Sequence, residues 1–247
     1  MKPGVRLTLA RFNPPECGAW LTSAVKVLSE PERERVVAMP DTAARAQHAV
    51  GRALLRLLGA QASAGDPRRL LVTVSAAGKP LLPDFPDLHV SIAHTTGLVV
   101  VAACRSATVG VDVEPARSPA GQERRLARRL FDRSEVETLL NVPDADVPDW
   151  FSSMWTIKEA VGKALGDGMI PALSGAVVRC EAGRFTLGSV WRGPPADSWT
   201  LHQLAAPAGT EKIAVALPAP NVPLEPVTSM TLDSFADACS ATTLSSR

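Results

Sequence analysis

The stretch "GVDVEP" at residues 110–115 sets Asp112 and Glu114 two positions apart, among Val109, Val111 and Val113. Side chains two apart on a strand share a face. The valines therefore take one face and pack, and the two acids project together from the other. Neighbouring carboxylates repel, and burying them unpartnered is costly. Such a strand must either lie at an exposed edge or face a cation. Mg²⁺ suits it, since this ion takes oxygen ligands, commonly one or two carboxylates with waters and substrate phosphates.

A later stretch, "DWFSSMWTIKEAVGKAL", reads as a helix over about 149–165, stopped by Gly166 and Gly168. Trp155, Glu159 and Lys163 recur every four residues and share a face, with Lys158 adjacent. Glu159 and Lys163 would by themselves form an ordinary helix-stabilising pair, worth roughly 0.2–0.5 kcal/mol. Brought to the Asp112/Glu114 dyad, they add a third carboxylate and an ammonium, the equipment of phosphoryl transfer. Trp155 is expected as a core wedge. Residues 43–59 read as another helix, with Gly59 ending it. Its apolar stripe is Ala46, Val50, Ala53, Leu54, Leu57 and Leu58; its basic stripe is Arg45, His48, Arg52 and Arg56. The basic stripe is either solvated or faces an anion. Arg45, Arg52, Lys79 and His94 are candidates for holding the phosphates of a polyanionic substrate.

The remaining pattern is mixed. "LLVTV" (70–74) reads as a strand, "LHVSIAHTTGLVVVAAC" (88–104) as a hairpin, and "ERRLARRLF" and "DRSEVETLL" as helices, the second opened by an Asp132/Glu135 capping box. "GAVVRC", "RFTLGSVW", "WTLHQLAA" and "KIAVAL" read as strands. Elements thus fall into two α+β batches that end alike, in "LVVVAA" and "KIAVAL". The expected fold class is α+β with two similar, pseudo-duplicated halves: residues 1–107, 108–218, and a Pro-, Ser- and Thr-rich tail, 219–247, expected to be partly disordered.

Several classes are disfavoured. Net charge is +1 over 247 residues, which gives no global pull toward nucleic acid or anionic membrane. The longest apolar run, "GLVVVAAC", is far short of the ~20 residues of a membrane helix. The N-terminus lacks the apolar core of a signal peptide, so a cytoplasmic protein is expected. The four cysteines, at 17, 104, 180 and 239, form no metal spacing and are expected to be reduced. His89 and His94 point to opposite faces of their strand and cannot share a metal.

"GVDVEP" and "WTIKEAVGKAL", with "GKPLLP" (78–83), "VSIAHT" (90–95) and "LFDRSE" (130–135) in order, resemble the signatures of the phosphopantetheinyl transferases. The likeness spans roughly residues 30–217, which points to the longer, monomeric, surfactin-type class. It implies a cytoplasmic monomer whose halves enclose coenzyme A. It further implies transfer of phosphopantetheine to a serine of an acidic helical carrier protein, releasing adenosine 3′,5′-bisphosphate. Asp112, Glu114 and Glu159 would hold Mg²⁺, for which Mn²⁺ could substitute, and Asp112 would also border coenzyme A. Lys163 would bind the pyrophosphate and stabilise departing charge. Lys79, Pro80, His94 and Thr95 would contact nucleotide and phosphates, and Arg45 and Arg52 the 3′-phosphate. The base that takes the serine proton is open among Glu159, Glu135 and a metal-bound water.

Two departures from the family pattern stand out. Ala93-His94-Thr95 replaces Ser-His-Ser, and Gly166-Asp167-Gly168 replaces Gly-Lys-Gly. The first removes a hydroxyl expected near the ligand, the second a basic group. Arg124, Arg125, Arg128 and Arg129 form a candidate docking face for the acidic carrier. Two alternatives compete. One is a non-catalytic binder of coenzyme A or carrier, against which the retained Asp112, Glu114, Glu159 and Lys163 argue. The other is a Mg²⁺-dependent nuclease of the Asp…Glu-x-Lys kind, against which Ala116, standing where that pattern needs Lys, argues.

Overall fold

The computed structural model describes all residues except 1–3, 64, 116–120, 168, 182 and 242–247. The loop expected after Pro115, Gly168 and the last six residues thus fall wholly or largely outside the described residues. In chain order the elements are β1 (Arg6–Arg11), α1 (Cys17–Ala24), α2 (Glu30–Ala38), α3 (Thr42–Ser63), β2 (Thr73–Val74), β3 (Pro80–Leu81), β4 (His89–Thr95), β5 (Leu98–Cys104) and β6 (Gly110–Glu114). Then come α4 (Glu123–Leu130), α5 (Arg133–Leu140), α6 (Val147–Leu165), α7 (Met169–Gly175), β7 (Val177–Glu181), β8 (Arg184–Ser189), β9 (Thr200–Ala205), β10 (Lys212–Leu217), β11 (Thr228–Met230) and α8 (Leu232–Ala241).

This is a mixed α+β fold built on two main sheets, ordered β11-β1-β5-β4 and β6-β10-β9. β5 and β10 are the central strands, each antiparallel to both principal neighbours. That position explains their unbroken apolar sequences, because both faces of each are covered. The two sheets abut where β4 meets β6: the Ser91 hydroxyl accepts from the Val111 amide at 3.1 Å. The β4–β5 hairpin closes over Thr96-Gly97, as its turn residues suggest. Gly97 has φ 70°, and a Cβ there would lie 2.6 Å from the Phe12 carbonyl.

The helix begun at residue 42 runs through Gly59 to Ser63, so Gly59 does not end it. The glycine serves packing instead: a Cβ at 59 would lie 2.5 Å from Leu70 Cδ2, so its absence admits the segment after the helix. The expected apolar stripe of α3 is buried except for Leu57, which is partly exposed; Ala46, Val50, Ala53 and Leu54 are nearly inaccessible. Its basic stripe is not uniformly exposed, since Arg56 is buried. Of "LLVTV", only Thr73–Val74 forms a strand, paired with β3.

The tail is the larger correction. Residues 228–230 add a parallel edge strand beside β1, and 232–241 form a helix. Phe235 and Cys239, one helical turn apart, are fully buried, and Phe235 lies against Trp20 with ring centroids 4.9 Å apart. The described part of the tail therefore completes the first sheet's layer. Its Ser/Thr-rich composition concealed a two-residue apolar face. All four cysteines are free thiols. Among the described residues no helix is long and apolar enough to cross a membrane.

Candidate active site

The site forms where β6 meets α6. Val111 and Val113 are buried in the layer between the sheets, as the alternation requires, and Asp112 and Glu114 face α6. Gly110 makes this approach possible. A Cβ at 110 would lie 1.9 Å from the Ala160 carbonyl oxygen and 2.4 Å from the Ala164 amide. The strand backbone thus rests directly on the helix backbone. Glu159 and Lys163, which flank that contact on α6, are carried to the acids.

Lys163 Nζ donates to Asp112 Oδ1 at 2.6 Å. Asp112 is 4 % exposed, and its Oδ2 is a buried acceptor without a hydrogen-bond partner. Burial pushes the Glu159 carboxyl up to about 7, helped by the charges of Asp112 and Glu114 and opposed by Lys163. Burial also raises Glu114, with Asp112 adding repulsion and Lys163 relieving it. The Trp155 indole N–H, near Glu114 and Glu159, favours their ionised forms. Trp155 also packs on Phe151 at 5.6 Å. It is therefore a wedge, as its spacing suggests, and also a polar partner of the acids, which spacing does not reveal. Lys212 stands opposite Glu114 across the β6–β10 pairing and binds Asp149 at 2.7 Å.

The expected metal trio shares one electrostatic neighbourhood, but it is not a closed coordination shell. Among the described residues no three His, Cys, Asp or Glu side chains already have the spacing of a metal site. The donor set nevertheless fits a hard cation: three desolvated carboxylates, one with an unsatisfied buried oxygen, against a single ammonium.

Glu135 is not part of this site. It is 2 % exposed, and Oε1 accepts from the Val178 amide at 2.7 Å. Oε2 accepts from the Asp132 amide at 2.9 Å, closing the capping box, and pairs with Lys158 Nζ at 2.8 Å. Lys158 is fully buried, donates to the Leu173 and Ala176 carbonyls, and lies 4.9 Å from the Phe131 ring centroid. Both carboxylate oxygens of Glu135 are thus engaged in joining α5, α6 and β7, away from the β6–α6 site.

A cleft of about 750 Å³ lies on the side of α3 and β4. His48, Arg52, Pro80 and His94 line it, together with Arg35, Arg68 and Arg69, which sequence reasoning missed. Its buried support is Glu32. Oε1 binds Arg52 at 2.7 Å and Oε2 binds Arg56 at 2.6 Å. Burial alone would push the Glu32 carboxyl up, but hydrogen bonds from Arg56 and Ser29 and the nearby guanidinium charges hold it below its ordinary value. The signal in the sequence was the capping box Ser29-x-x-Glu32. Arg45 is turned away to the Met39 carbonyl. Burial and the Lys163 ammonium hold His94 low, although part of its ring is open to solvent. The Thr95 carbonyl accepts from Gln47 at 2.8 Å. Lys79 does not reach into the cleft; its amine is bound to backbone carbonyls.

The departures also find their places. Ala93 faces the buried layer between the sheets, opposite His94, so a hydroxyl there would not face the cleft. Asp167 binds Arg192 and accepts from Trp191 Nε1 at 3.1 Å.

Residues 108–217, which hold all of β6 and α6, match the family model of the 4′-phosphopantetheinyl transferase superfamily. The likeness to this superfamily is carried by that segment. A 4′-phosphopantetheinyl transferase of Bacillus subtilis is 32 % identical over 132 residues, 53 % of this chain and 57 % of that protein. The 4′-phosphopantetheinyl transferase Sfp of Bacillus subtilis strain 168 is 35 % identical over 102 residues, 41 % of this chain and 44 % of its own. The 4′-phosphopantetheinyl transferase HetI of Nostoc is 32 % identical over 128 residues, 51 % of this chain and 54 % of its own. The chain thus spans about half the length of the curated relatives it matches.

Proposed function

We propose that the protein transfers phosphopantetheine from coenzyme A to a serine of an apo carrier protein. The observation that carries this reading is the β6–α6 contact. It gathers Asp112, Glu114, Glu159 and Lys163 inside the segment similar to the transferases. The basic cleft lined by Arg35, Arg52, Arg68, Arg69 and His94 suits a nucleotide with several phosphates. Arg52 spends Nε on Glu32, which fixes its guanidinium for an anion.

Asp112, Glu114 and Glu159 would hold Mg²⁺, with Mn²⁺ a substitute; when bound it supplies neutralising charge at the pyrophosphate oxygens. Lys163 stabilises the charge that grows on those oxygens as the bond to the nucleotide phosphate breaks. A serine hydroxyl must lose its proton as it attacks. Glu159, ionised in the loaded site, is the protein group proposed to accept it. The attack leaves phosphopantetheine on the serine oxygen and releases adenosine 3′,5′-bisphosphate.

The two halves expected from the sequence find support in topology. β1, α3, β4 and β5 give the strand order β1-β5-β4; β6, α6, β9 and β10 give β6-β10-β9. The test is mass spectrometry of an apo carrier after incubation with coenzyme A and Mg²⁺. The carrier is expected to gain the phosphopantetheine mass. No gain across fatty-acid, polyketide and peptide carriers would overturn the proposal.

A further inference from the structure

The last turn of a helix leaves four carbonyls without intrahelical partners. In α6 this turn carries Lys163, so what satisfies those carbonyls also fixes the site. The Gly162 carbonyl accepts from the Gly166 and Asp167 amides at 2.8 and 3.2 Å, with Gly166 at φ 73°. The Leu165 carbonyl accepts from Arg192 Nη2 at 2.8 Å. The other two are taken by one group from a distant part of the chain. Lys79 Nζ donates to the Lys163 carbonyl at 2.6 Å and to the Ala164 carbonyl at 3.0 Å. Its third bond, 3.0 Å, goes to the carbonyl of Val109, the residue before Gly110.

An ammonium has three donors. All three of Lys79's are spent on backbone, two on the end of α6 and one on the start of β6. The ammonium also sits where the helix dipole favours positive charge. A tight turn delivers it: the Ser75 amide donates to the Lys79 carbonyl at 2.9 Å, and Ser75 Oγ accepts from the Lys79 amide at 3.1 Å. Burial holds the amine down at about 8, which fits a desolvated cap better than a solvated phosphate contact.

We infer that Lys79 is a positioning residue. It clamps the C-terminal turn of α6 to the start of β6 and thereby holds Lys163 against Asp112, and it is not a phosphate ligand. At Gly110 the strand–helix contact is backbone on backbone, so residue 110 has no side chain to help fix the helix's rotation and slide. The clamp supplies that restraint from the 75–79 turn, whose Gly78 borders the cleft. The kinetic and nucleotide-binding parts of the test rest on the transferase reading; the hydrogen-exchange part does not.

The test is Lys79→Met, which keeps the apolar stem and removes the donors. Amide hydrogen exchange across residues 160–167 is expected to quicken about tenfold or more, an outcome independent of any activity. In the transfer assay kcat is expected to fall about tenfold or more, because a small misplacement of a reacting group is costly. The dissociation constant for adenosine 3′,5′-bisphosphate should stay within about twofold of wild type. Should Lys79→Met not fold, Lys79→Gln keeps two donors on a shorter arm and is expected to show an intermediate quickening of exchange. Unchanged exchange in the last turn, with weakened nucleotide binding and unchanged kcat, would overturn the inference and return Lys79 to the ligand.

Discussion

Gly110→Ala tests whether the closeness of β6 to α6 makes the site. The new methyl would meet Ala160 O at 1.9 Å and Ala164 N at 2.4 Å. It would therefore sit within the helical bond that joins those two groups. Carbon needs about 3.5 Å from a non-bonded heavy atom, so strand and helix must part by roughly 1.5 Å or the bond must open. Overpacking of this kind costs about 1–3 kcal/mol. For a chain of this length that corresponds to a melting point lower by about 3–10 °C. The same retreat takes Glu159 and Lys163 from Asp112 and Glu114, and a displacement near 1 Å can cost about 100-fold in rate. Differential scanning calorimetry and the carrier-mass assay, run well below the melt, read the two effects separately. Gly18→Ala is the matched control. A Cβ there meets nothing within 4 Å, and Gly18 lies inside α1, so the alanine is expected to stabilise by up to about 1 kcal/mol. If Gly110→Ala melts within about 1 °C of wild type and turns over within about twofold, the close approach does not build the site and the reasoning is wrong.

Three further outcomes follow from the geometry. Glu135→Ala leaves the Lys158 ammonium buried and unpaired, a loss of about 3–5 kcal/mol, yet turnover of the folded protein should change by less than about threefold; a stable variant with turnover abolished would restore Glu135 as a base. Because the Glu159 carboxyl is raised from 4.5 to about 7, the folded chain holds a proton there that the unfolded chain has lost. Its contribution to stability therefore declines as pH rises from about 4.5 to about 7 and is level above. Loading with Mg²⁺ needs the ionised form, so cation affinity should climb toward pH 7 with proton release; calorimetry at pH 6 in two buffers that shows no released proton would contradict this. Replacing Arg125, Arg128 and Arg129 by Glu should raise KM for an acidic carrier and leave nucleotide affinity unchanged. Arg124 is not in that set, since it is tied to the Leu139 and Val142 carbonyls and Asp144; an unchanged KM would remove α4 from the docking face.

Much of the fold was legible because periodicity reports burial. The alternation in "GVDVEP" set the valines inward and the acids outward. The four-residue spacing of Trp155, Glu159 and Lys163 set them on one helical face. "LVVVAA" and "KIAVAL" read as strands, and the fold places both centrally. The tail was misread because Phe235 and Cys239 are a small signal among serines and threonines. Gly59 was misread because a glycine that admits a neighbour looks, in one dimension, like a glycine that ends a helix.

The sequence by itself determined the chemistry on offer: three carboxylates and a lysine at spacings that local structure turns to common faces, and a basic helix nearby. Local periodicity is enough for that, since it is fixed by backbone geometry. Only the tertiary structure decided which charges are free to act. Glu135, Arg56 and Lys158 were consumed by buried pairs, Lys79 by three carbonyls and Arg45 by one. Asp112, Glu114 and Glu159 were left short of partners. Whether a charge is spent or available depends on what the fold brings against it from tens of residues away, and no spacing along the chain records that.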